Sequence, residues 1–273
     1  MIPLPALEKI TDRSGIAPRI ELLLPTGVRA RQLAVRTLLL GMLTVLADHR
    51  PAHLTRVHQA LITLPEDDQR RLGVVADWKH GPHQLTYRQT ERTFGLVADA
   101  LAKDIPDGLP SAWLQRLCDD LLQASIPEKF TDASTSLAVD WTDIETFSRP
   151  PSRGTSDCAD PEASWGHRSG GGPSQDSELF FGYYASAATM MREEHGPPVP
   201  ELARRLTVCS CRHDPAHALV PVLTAMPADG IALGDILPIL GPPQTTKRHG
   251  RVFRAVGGMT GCLGHLRIGT PIA

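Results

Sequence analysis

Apolar residues at helical spacing dominate the first half of the chain. In the segment 31–50, leucines recur on a wide apolar face, and Pro51 ends the pattern. A shorter helix is predicted over 53–63. Another begins at Pro65, where a proline followed by acidic residues suits a first helical turn. We therefore predict a helical domain over residues 1–132.

Two capping patterns support further helices in this domain. Thr86 and Gln89 have the spacing of a capping box, and Ser111 precedes a helical pattern over 113–123. Short helices joined by tight turns are typical of helix-turn-helix DNA readers, which makes this a candidate DNA-binding domain. They are equally typical of a plain bundle, which the near balance of acidic and basic residues favours.

The hydrophobic pattern changes after residue 132. A short apolar run from Leu137 to Val139 predicts a buried strand. Further strands are predicted over 178–191 and 206–210, then a helix over 215–226 and an apolar strand over 231–237. This alternation predicts an α/β (mixed α+β) layer over residues 133–240.

A segment rich in proline, glycine and serine interrupts this layer at residues 148–177. Its composition predicts a flexible insertion loop rather than a packed element. Trp165 lies inside it, within a run of polar residues. That side chain suits either of two roles, gripping a substrate or attaching the loop to the body of the protein.

Composition narrows the class of protein. The chain has 273 residues, of which 41% are hydrophobic, enough for one large domain or two ordinary ones. A net charge of −2 excludes an overall basic field, so nucleic-acid binding would need local patches. Five cysteines, the lack of a signal-peptide pattern and the lack of a long apolar span predict a cytoplasmic protein without membrane association.

The first candidate site lies at the end of the Leu137–Val139 run. Asp140 follows it directly, and Asp143 and Glu145 come shortly after. A carboxylate at the end of a buried strand suits a metal-binding oxygen, because the strand fixes its position and the sheet edge leaves it open. The alternative is that Asp140 only begins a polar turn after an ordinary core strand.

A second candidate site combines thiols and imidazoles. Cys209, Cys211, His213 and His217 are zinc ligand types packed into nine residues. Their spacing differs from that of structural zinc sites, which draw ligands from two separated turns. We therefore expect one buried and one partly exposed thiol at a strand end, with both histidines in solvent.

The order of these pieces resembles the DDE transposases of bacterial insertion sequences, which have an RNase H-like core. The resemblance covers residues 84–240 and rests on order and spacing. It is carried by four pieces, namely Leu137-Ala138-Val139-Asp140-Trp141-Thr142-Asp143, Phe180-Phe181-Gly182-Tyr183-Tyr184, the strand 206–210, and a helix containing Thr224-Ala225-Met226-Pro227.

The resemblance implies a mechanism and its residues. Asp140 would be the first catalytic carboxylate and a metal ligand, with Asp143 as a weaker catalytic candidate. A second Asp is expected after Leu237, and a Glu on a later helix. Such carboxylates hold two Mg2+ or Mn2+ ions roughly 4 Å apart for in-line attack on a phosphodiester. The implied partner is DNA at the insertion-sequence ends, and a homo-oligomer is compatible with the family.

The sequence departs from the family pattern after Pro238. Ile239-Leu240-Gly241 stands where Asp-Ser-Gly is expected, and a slip of one base in the coding DNA accounts for the difference. Residues 239–273 also contain no acidic residue but include five of the basic residues Lys and Arg. We therefore predict that 241–273 is an irregular basic tail read out of frame, and that the transposase is truncated and inactive.

Two alternatives remain open at this point. The alternative to an out-of-frame tail is a genuine basic segment that binds nucleic acid. The alternative to a transposase is a non-enzymatic DNA-binding or regulatory protein, whose N-terminal helices carry the function.

Overall fold

The structure is a computed structural model that describes residues 2–25, 31–78, 81–151, 158–168, 178–193, 195–238 and 266–267. The chain divides into two compact units. The first covers residues 1–104 and 123–125, and the second covers 105–122 and 126–273.

Helices form most of the first unit. They are α1 (Leu4–Ser14), α2 (Ile16–Glu21), α3 (Val35–Ala47), α4 (Leu54–Ile62), α5 (Glu66–Arg71) and α6 (Tyr87–Ala102). The helices predicted over 31–50, over 53–63 and from Pro65 are confirmed. Helix α3 contacts α1, α2, α4 and α6, and its Leu38 and Leu40 side chains are buried, whereas Leu46 near its end is exposed. A Cβ at Gly41 would lie 2.9 Å from Leu61, so the glycine allows α3 and α4 to approach closely.

Both predicted caps are present. At the start of α6, the Gln89 backbone N–H donates to Thr86 Oγ1 and the Thr86 N–H donates to Gln89 Oε1, at 3.3 and 2.8 Å. This reciprocal pair satisfies two donors that a helix N-terminus leaves free. Helix α7 (Ala112–Ser125) begins similarly, because the Leu114 N–H donates to Ser111 Oγ at 3.1 Å.

A β-hairpin within the first unit corrects the prediction of a wholly helical segment. Strand β1 (Val75–Trp78) pairs antiparallel with β2 (Gly81–Gln84). Gly73 ends α5 in the left-handed conformation at φ 71°, and the Leu85 N–H donates to Val74 O at 2.7 Å. The strands have four residues each, too few for an alternating pattern to be recognised between helices.

The second unit contains a mixed sheet built around β5 (Glu178–Met190). Strand β3 (Leu137–Glu145) pairs antiparallel with one edge of β5. On its other edge β5 pairs with β4 (Ser164–Arg168) and then with β6 (Ala203–Ser210), both antiparallel. Strand β7 (Asp235–Pro238) lies parallel to β3, and β8 (Leu266–Arg267) lies antiparallel to β7. The chain is therefore mixed α/β, with helices preceding a mixed sheet.

Helix α8 (Pro215–Ala225) connects β6 to β7 and covers one face of the sheet. Asp214 caps it, since the Ala216 N–H donates to Asp214 Oδ1 at 2.9 Å. The shared core contains buried residues of α8 and of strands β3, β5 and β7, including Leu219, Leu223, Leu137, Val139, Met190 and Ile236. The helix therefore fixes which face of β3 is buried.

Strand β4 corrects the prediction of an unpacked loop over 148–177. Ser164–Arg168 pairs with Glu178–Gly182, and the Trp165 ring packs edge-on against Phe181 at 5.5 Å between centroids. Of the two roles suggested for Trp165, this contact supports attachment to the body. The surrounding prolines and glycines obscured a strand of only five residues. Residues 152–157 and 169–177 of the segment lie outside the described residues.

The division into units differs from the boundary expected at residue 132. The first turns of α7 belong with the sheet, because Gln115 Nε2 donates to Leu206 O at 2.9 Å and Arg116 pairs with Asp229. Of the tail 241–273, the structure describes only Leu266 and Arg267. No described helix is long and apolar enough to cross a bilayer.

Candidate active site

Asp140 lies on the central strand β3, one residue beyond the buried core. Val139 is fully buried under α8, whereas Asp140 is exposed. Its neighbour across β5 is Ala187, whose small side chain leaves the carboxylate accessible. The Trp141 N–H donates to Asp140 Oδ1 at 2.8 Å, which fixes one carboxylate oxygen. The carboxylate is therefore accessible to solvent, but Asp140 does not end the strand as predicted, and it does not begin a polar turn. Strand β3 continues to Glu145, because Asp140 to Glu145 pair with Ala187 to Gly182 of β5.

Asp143 does not share a face with Asp140. Side chains alternate along a strand, so residues three apart point to opposite sides of the sheet. Asp143 has the parity of Leu137 and Val139, which face α8, and Asp140 has the other parity. The structure therefore does not bring the two predicted catalytic carboxylates together.

Asp143 is instead part of an ion-pair cluster with Arg168 of β4. Its Oδ2 accepts hydrogen bonds from Arg168 Nε at 3.0 Å and from Nη2 at 2.5 Å. These bonds hold the pKa of Asp143 below its usual range. Glu145 and Glu178 also lie within 4 Å of the same guanidinium, at 3.7 and 3.4 Å. The cluster ties β4 to β3 and accounts for Asp143 without a metal role.

The two other acids considered for this site lie apart from Asp140. Glu145 has the parity of Asp143 and so belongs to the opposite face. Asp235 precedes Ile236, which pairs with Leu137, so it lies level with Ser136. Four residues of strand separate that level from Asp140, which is about 13 Å. Neither Glu145 nor Asp235 therefore places a carboxylate beside Asp140.

Strand β7 pairs with β3 up to the residue that precedes Asp140. Val139 pairs with Pro238, the last described residue of β7. The next residue in the chain is Ile239, which lies outside the described residues. The sequence has an isoleucine, not an acid, at that position.

The described residues do not fit the carboxylate set that two divalent metal ions require. Within the ranges given above, no three His, Cys, Asp or Glu side chains are grouped so as to hold a metal ion. Cys209, Cys211, His213 and His217 are among these described residues, so they are not grouped as a zinc site either. As expected for thiols at a strand end, Cys209 is buried and Cys211 is partly exposed. His217 is 70% exposed, whereas His213 is partly buried against the Asp107 carbonyl oxygen, contrary to expectation.

A buried ion network in the second unit was not predicted. Arg205 of β6 is fully buried, and its Nη2 donates to Asp229 Oδ2 at 2.5 Å. Asp229 also pairs with Arg116 of α7. The sequence carried one signal: Arg204 and Arg205 lie next to each other at the start of strand β6, where an unpaired charge would be too costly to bury. Their partners come from distant segments that the pattern does not identify.

A second polar cluster lies where β3 ends beside the middle of β5. Asp160 accepts hydrogen bonds from Thr146 Oγ1, at 2.7 Å, and from the Tyr183 hydroxyl. Burial and this bond to a carboxylate raise the pKa of Tyr183 above its usual range. The cluster anchors the segment before β4, and its location explains why that segment is ordered against the sheet.

Comparison of the chain with family models, curated proteins and solved structures finds no match.

Proposed function

We propose that this chain is transposase-like and that residues 137–238 correspond to the first part of an RNase H-like core of the DDE class. In the present reading frame the carboxylate site is incomplete, so the protein does not cleave or join DNA. The same proposal includes Mg2+ or Mn2+ as the family's cofactor, DNA ends as the partner, and Asp140 as the first catalytic carboxylate and metal ligand.

The order of strands carries the proposal. Strands β3, β5 and β6 form an antiparallel meander, α8 crosses over, and β7 returns parallel to β3 on its far side. Crossovers between parallel strands require a helix or a similar long connection, which α8 supplies. In the resulting neighbour order β6-β5-β3-β7, strand β3 lies in the interior of the sheet. An RNase H-like core carries its first catalytic Asp on such an interior strand.

The position of Asp140 is the second support. Asp140 is exposed and follows the buried part of the interior strand β3. The residue before it, Val139, pairs with Pro238 at the end of β7. A second Asp after β7 would then be the nearest carboxylate neighbour of Asp140. The frame change proposed at Pro238 removes that Asp. This loss would explain why Asp140 on strand β3 has no second carboxylate beside it, since Asp143, Glu145 and Asp235 all lie elsewhere.

The alternative proposal is a non-enzymatic DNA-binding or regulatory protein acting through the first unit. DNA phosphates are bound mainly by free arginine and lysine side chains. Five arginines of this unit already pair with acids, namely Arg31, Arg36, Arg50, Arg70 and Arg71. These pairs reduce the positive charge available to phosphates, so this proposal ranks second.

The coding DNA provides the first test. Translation of all three frames downstream of the Pro238 codon is expected to give Asp-Ser-Gly in a neighbouring frame, followed by a helical segment containing Glu. If no frame contains them, the transposase proposal loses its explanation for Ile239, and the regulatory proposal takes its place.

A further inference from the structure

A cleft between α7 and α8 lies on the sheet face opposite to Asp140. Its volume is about 320 Å³. One wall is a face of α7 that includes Ala112, Gln115 and Asp119, and the other is a face of α8 that includes Ala218, Val222 and Ala225. The volume is at the lower end of the range of small-molecule sites, about 300–1,000 Å³. Small side chains on both helices keep this space open.

One buried carboxylate provides the polar group of the cleft. Asp119 is 7% exposed, and its Oδ1 accepts a hydrogen bond from Gln115 Nε2 at 3.0 Å. Arg205 Nε lies 3.7 Å from the same oxygen, beyond hydrogen-bond distance. Within the described residues that nitrogen is buried without a hydrogen-bond partner. Asp119 and Arg205 thus face each other without a direct bond.

Within the described residues, the Asp119 carboxylate accepts one hydrogen bond, from Gln115, so its oxygens can accept a further donor. Burial raises its pKa, and this effect exceeds the opposing attraction of Arg205 and the bond from Gln115. A further donor supplied from the cleft would stabilise the ionised carboxylate. Asp229, the other acid that lines the cleft, already binds both Arg116 and Arg205.

The charges around the cleft determine the charge of a suitable ligand. Asp119 and Asp229 are balanced by Arg116 and Arg205, so the site has no net charge to attract an anion or a cation. A charged ligand would lose its hydration without gaining a new counter-charge. The walls are mainly apolar and contribute burial of a hydrophobic body.

We propose that this cleft binds a small neutral molecule with an apolar body and one hydroxyl or amide group that donates to Asp119. The site goes beyond the proposed function and does not depend on it, because Asp140 lies on the other face of the sheet. The chemistry specifies the class of ligand: a compact apolar group, one donor, no charge.

Four matched probes test this proposal with the full chain. Benzyl alcohol has a neutral donor, toluene has none, and benzoate and benzylammonium carry opposite charges. Amide chemical shifts in nuclear magnetic resonance spectra report binding at Gln115 and Ala218. We expect saturable shifts with benzyl alcohol in the millimolar range, as suits so small a probe. Toluene should bind about tenfold more weakly, the loss of one hydrogen bond to a charged group.

Two pairs of variants locate the site. Ala225→Phe fills the cleft and should abolish the shifts, whereas Thr224→Phe, one residue away and exposed, should retain them. Asp119→Leu should leave toluene binding intact and remove the preference for the alcohol. Asp119→Asn, which keeps an acceptor oxygen, should retain part of that preference and so controls for altered packing.

Three results would overturn the proposal. The first is the absence of saturable shifts with all four probes. The second is shifts that persist unchanged in Ala225→Phe, which would locate binding elsewhere. The third is equal affinity for the four probes, which would mean that Asp119 does not take part in recognition.

Discussion

Asp140 and Asp143 lie on opposite faces of strand β3, although only two residues separate them. Asp140 is exposed beside Ala187, and Asp143 is bonded to Arg168 on the face that α8 covers further along the strand. Two carboxylates on opposite faces cannot coordinate the same ion. This relationship separates an acid that is open to a second ligand from one that already has a structural partner.

The two acids should therefore differ in their contribution to stability. Asp143→Asn removes an ion pair with a partly exposed arginine and should lower the free energy of unfolding by about 0.5–1 kcal/mol. Asp140 is exposed and forms no ion pair with the part of the chain that the structure describes, so Asp140→Asn should change that free energy by less than about 0.5 kcal/mol. Denaturant unfolding at neutral pH measures both, and equal costs would contradict the assignment.

The cost of Asp143→Asn should also depend on pH. Because Arg168 lowers the pKa of Asp143 in the folded protein, its stabilisation is present above the unfolded value of about 3.9. That stabilisation is lost as the pH falls through the lower folded value. The difference between wild type and variant should be constant above about pH 5 and should disappear once the pH lies below the lowered folded pKa. The same difference at both extremes would mean that the carboxylate is not paired.

Asp229 provides a comparison between a buried and an exposed ion pair. Asp229→Ala leaves the fully buried Arg205 without its closest counter-charge and should cost about 3–5 kcal/mol. Arg116→Ala removes the half-exposed partner of the same carboxylate and should cost less than about 1 kcal/mol. Denaturant unfolding of the two variants measures the contrast. Similar costs would show that Arg205 is not buried as described.

Gly182 permits the close approach of β5 to β3. A Cβ at this position would lie 2.0 Å from the Ile144 carbonyl oxygen, so Gly182→Ala must displace backbone. We expect a loss of about 3 kcal/mol in the free energy of unfolding. The control is Gly95→Ala in α6, where a Cβ meets no heavy atom within 4 Å. That variant should gain about 0.5–1 kcal/mol because alanine favours the helix. A tolerated Gly182→Ala would contradict the strand register.

Tyr183 should remain un-ionised at a pH where an ordinary tyrosine has lost its proton. Its pKa is raised by burial and by the bond to Asp160, so the unfolded chain ionises first, near about pH 10. The stabilisation is complete below that pH and is lost as the pH rises through the higher folded value. Ultraviolet difference titration should show a late ionisation step that Tyr183→Phe lacks. An unchanged curve in the variant would disprove the buried bond.

Periodicity predicted the longer helices and strand β5 because their patterns exceed one or two turns or pleats. It gave only the first three residues of β3, because the rest of that strand is largely polar. The caps at Thr86 and Ser111 were also predictable, since capping depends on residues that are close in sequence. The hairpin at Val75 and the strand at Ser164 were missed because four or five residues carry too little pattern. Tertiary pairing, not propensity, determines such short strands.

In the candidate site too, features within one segment differ in predictability from contacts between distant segments. Strand parity places Asp140 and Asp143 on opposite faces only because β3 continues to Glu145, and the apolar run that predicted the strand ended at Val139. The pairing of Asp143 with Arg168, and of Arg205 with Asp119 and Asp229, could not be predicted from the sequence. Those partners come from segments that only the folded topology brings together, and a pattern along one segment holds no information about them.

The account is tested most directly by DNA cleavage with a chain whose reading frame is restored after the Pro238 codon. With Mg2+ or Mn2+ and DNA that carries the sequences flanking the gene, the restored protein should cleave, and the present chain should not. Asp140→Asn should abolish cleavage by the restored protein, and Asp143→Asn should leave it. Cleavage that survives Asp140→Asn, or a correctly folded restored protein that never cleaves, would contradict the proposed RNase H-like origin.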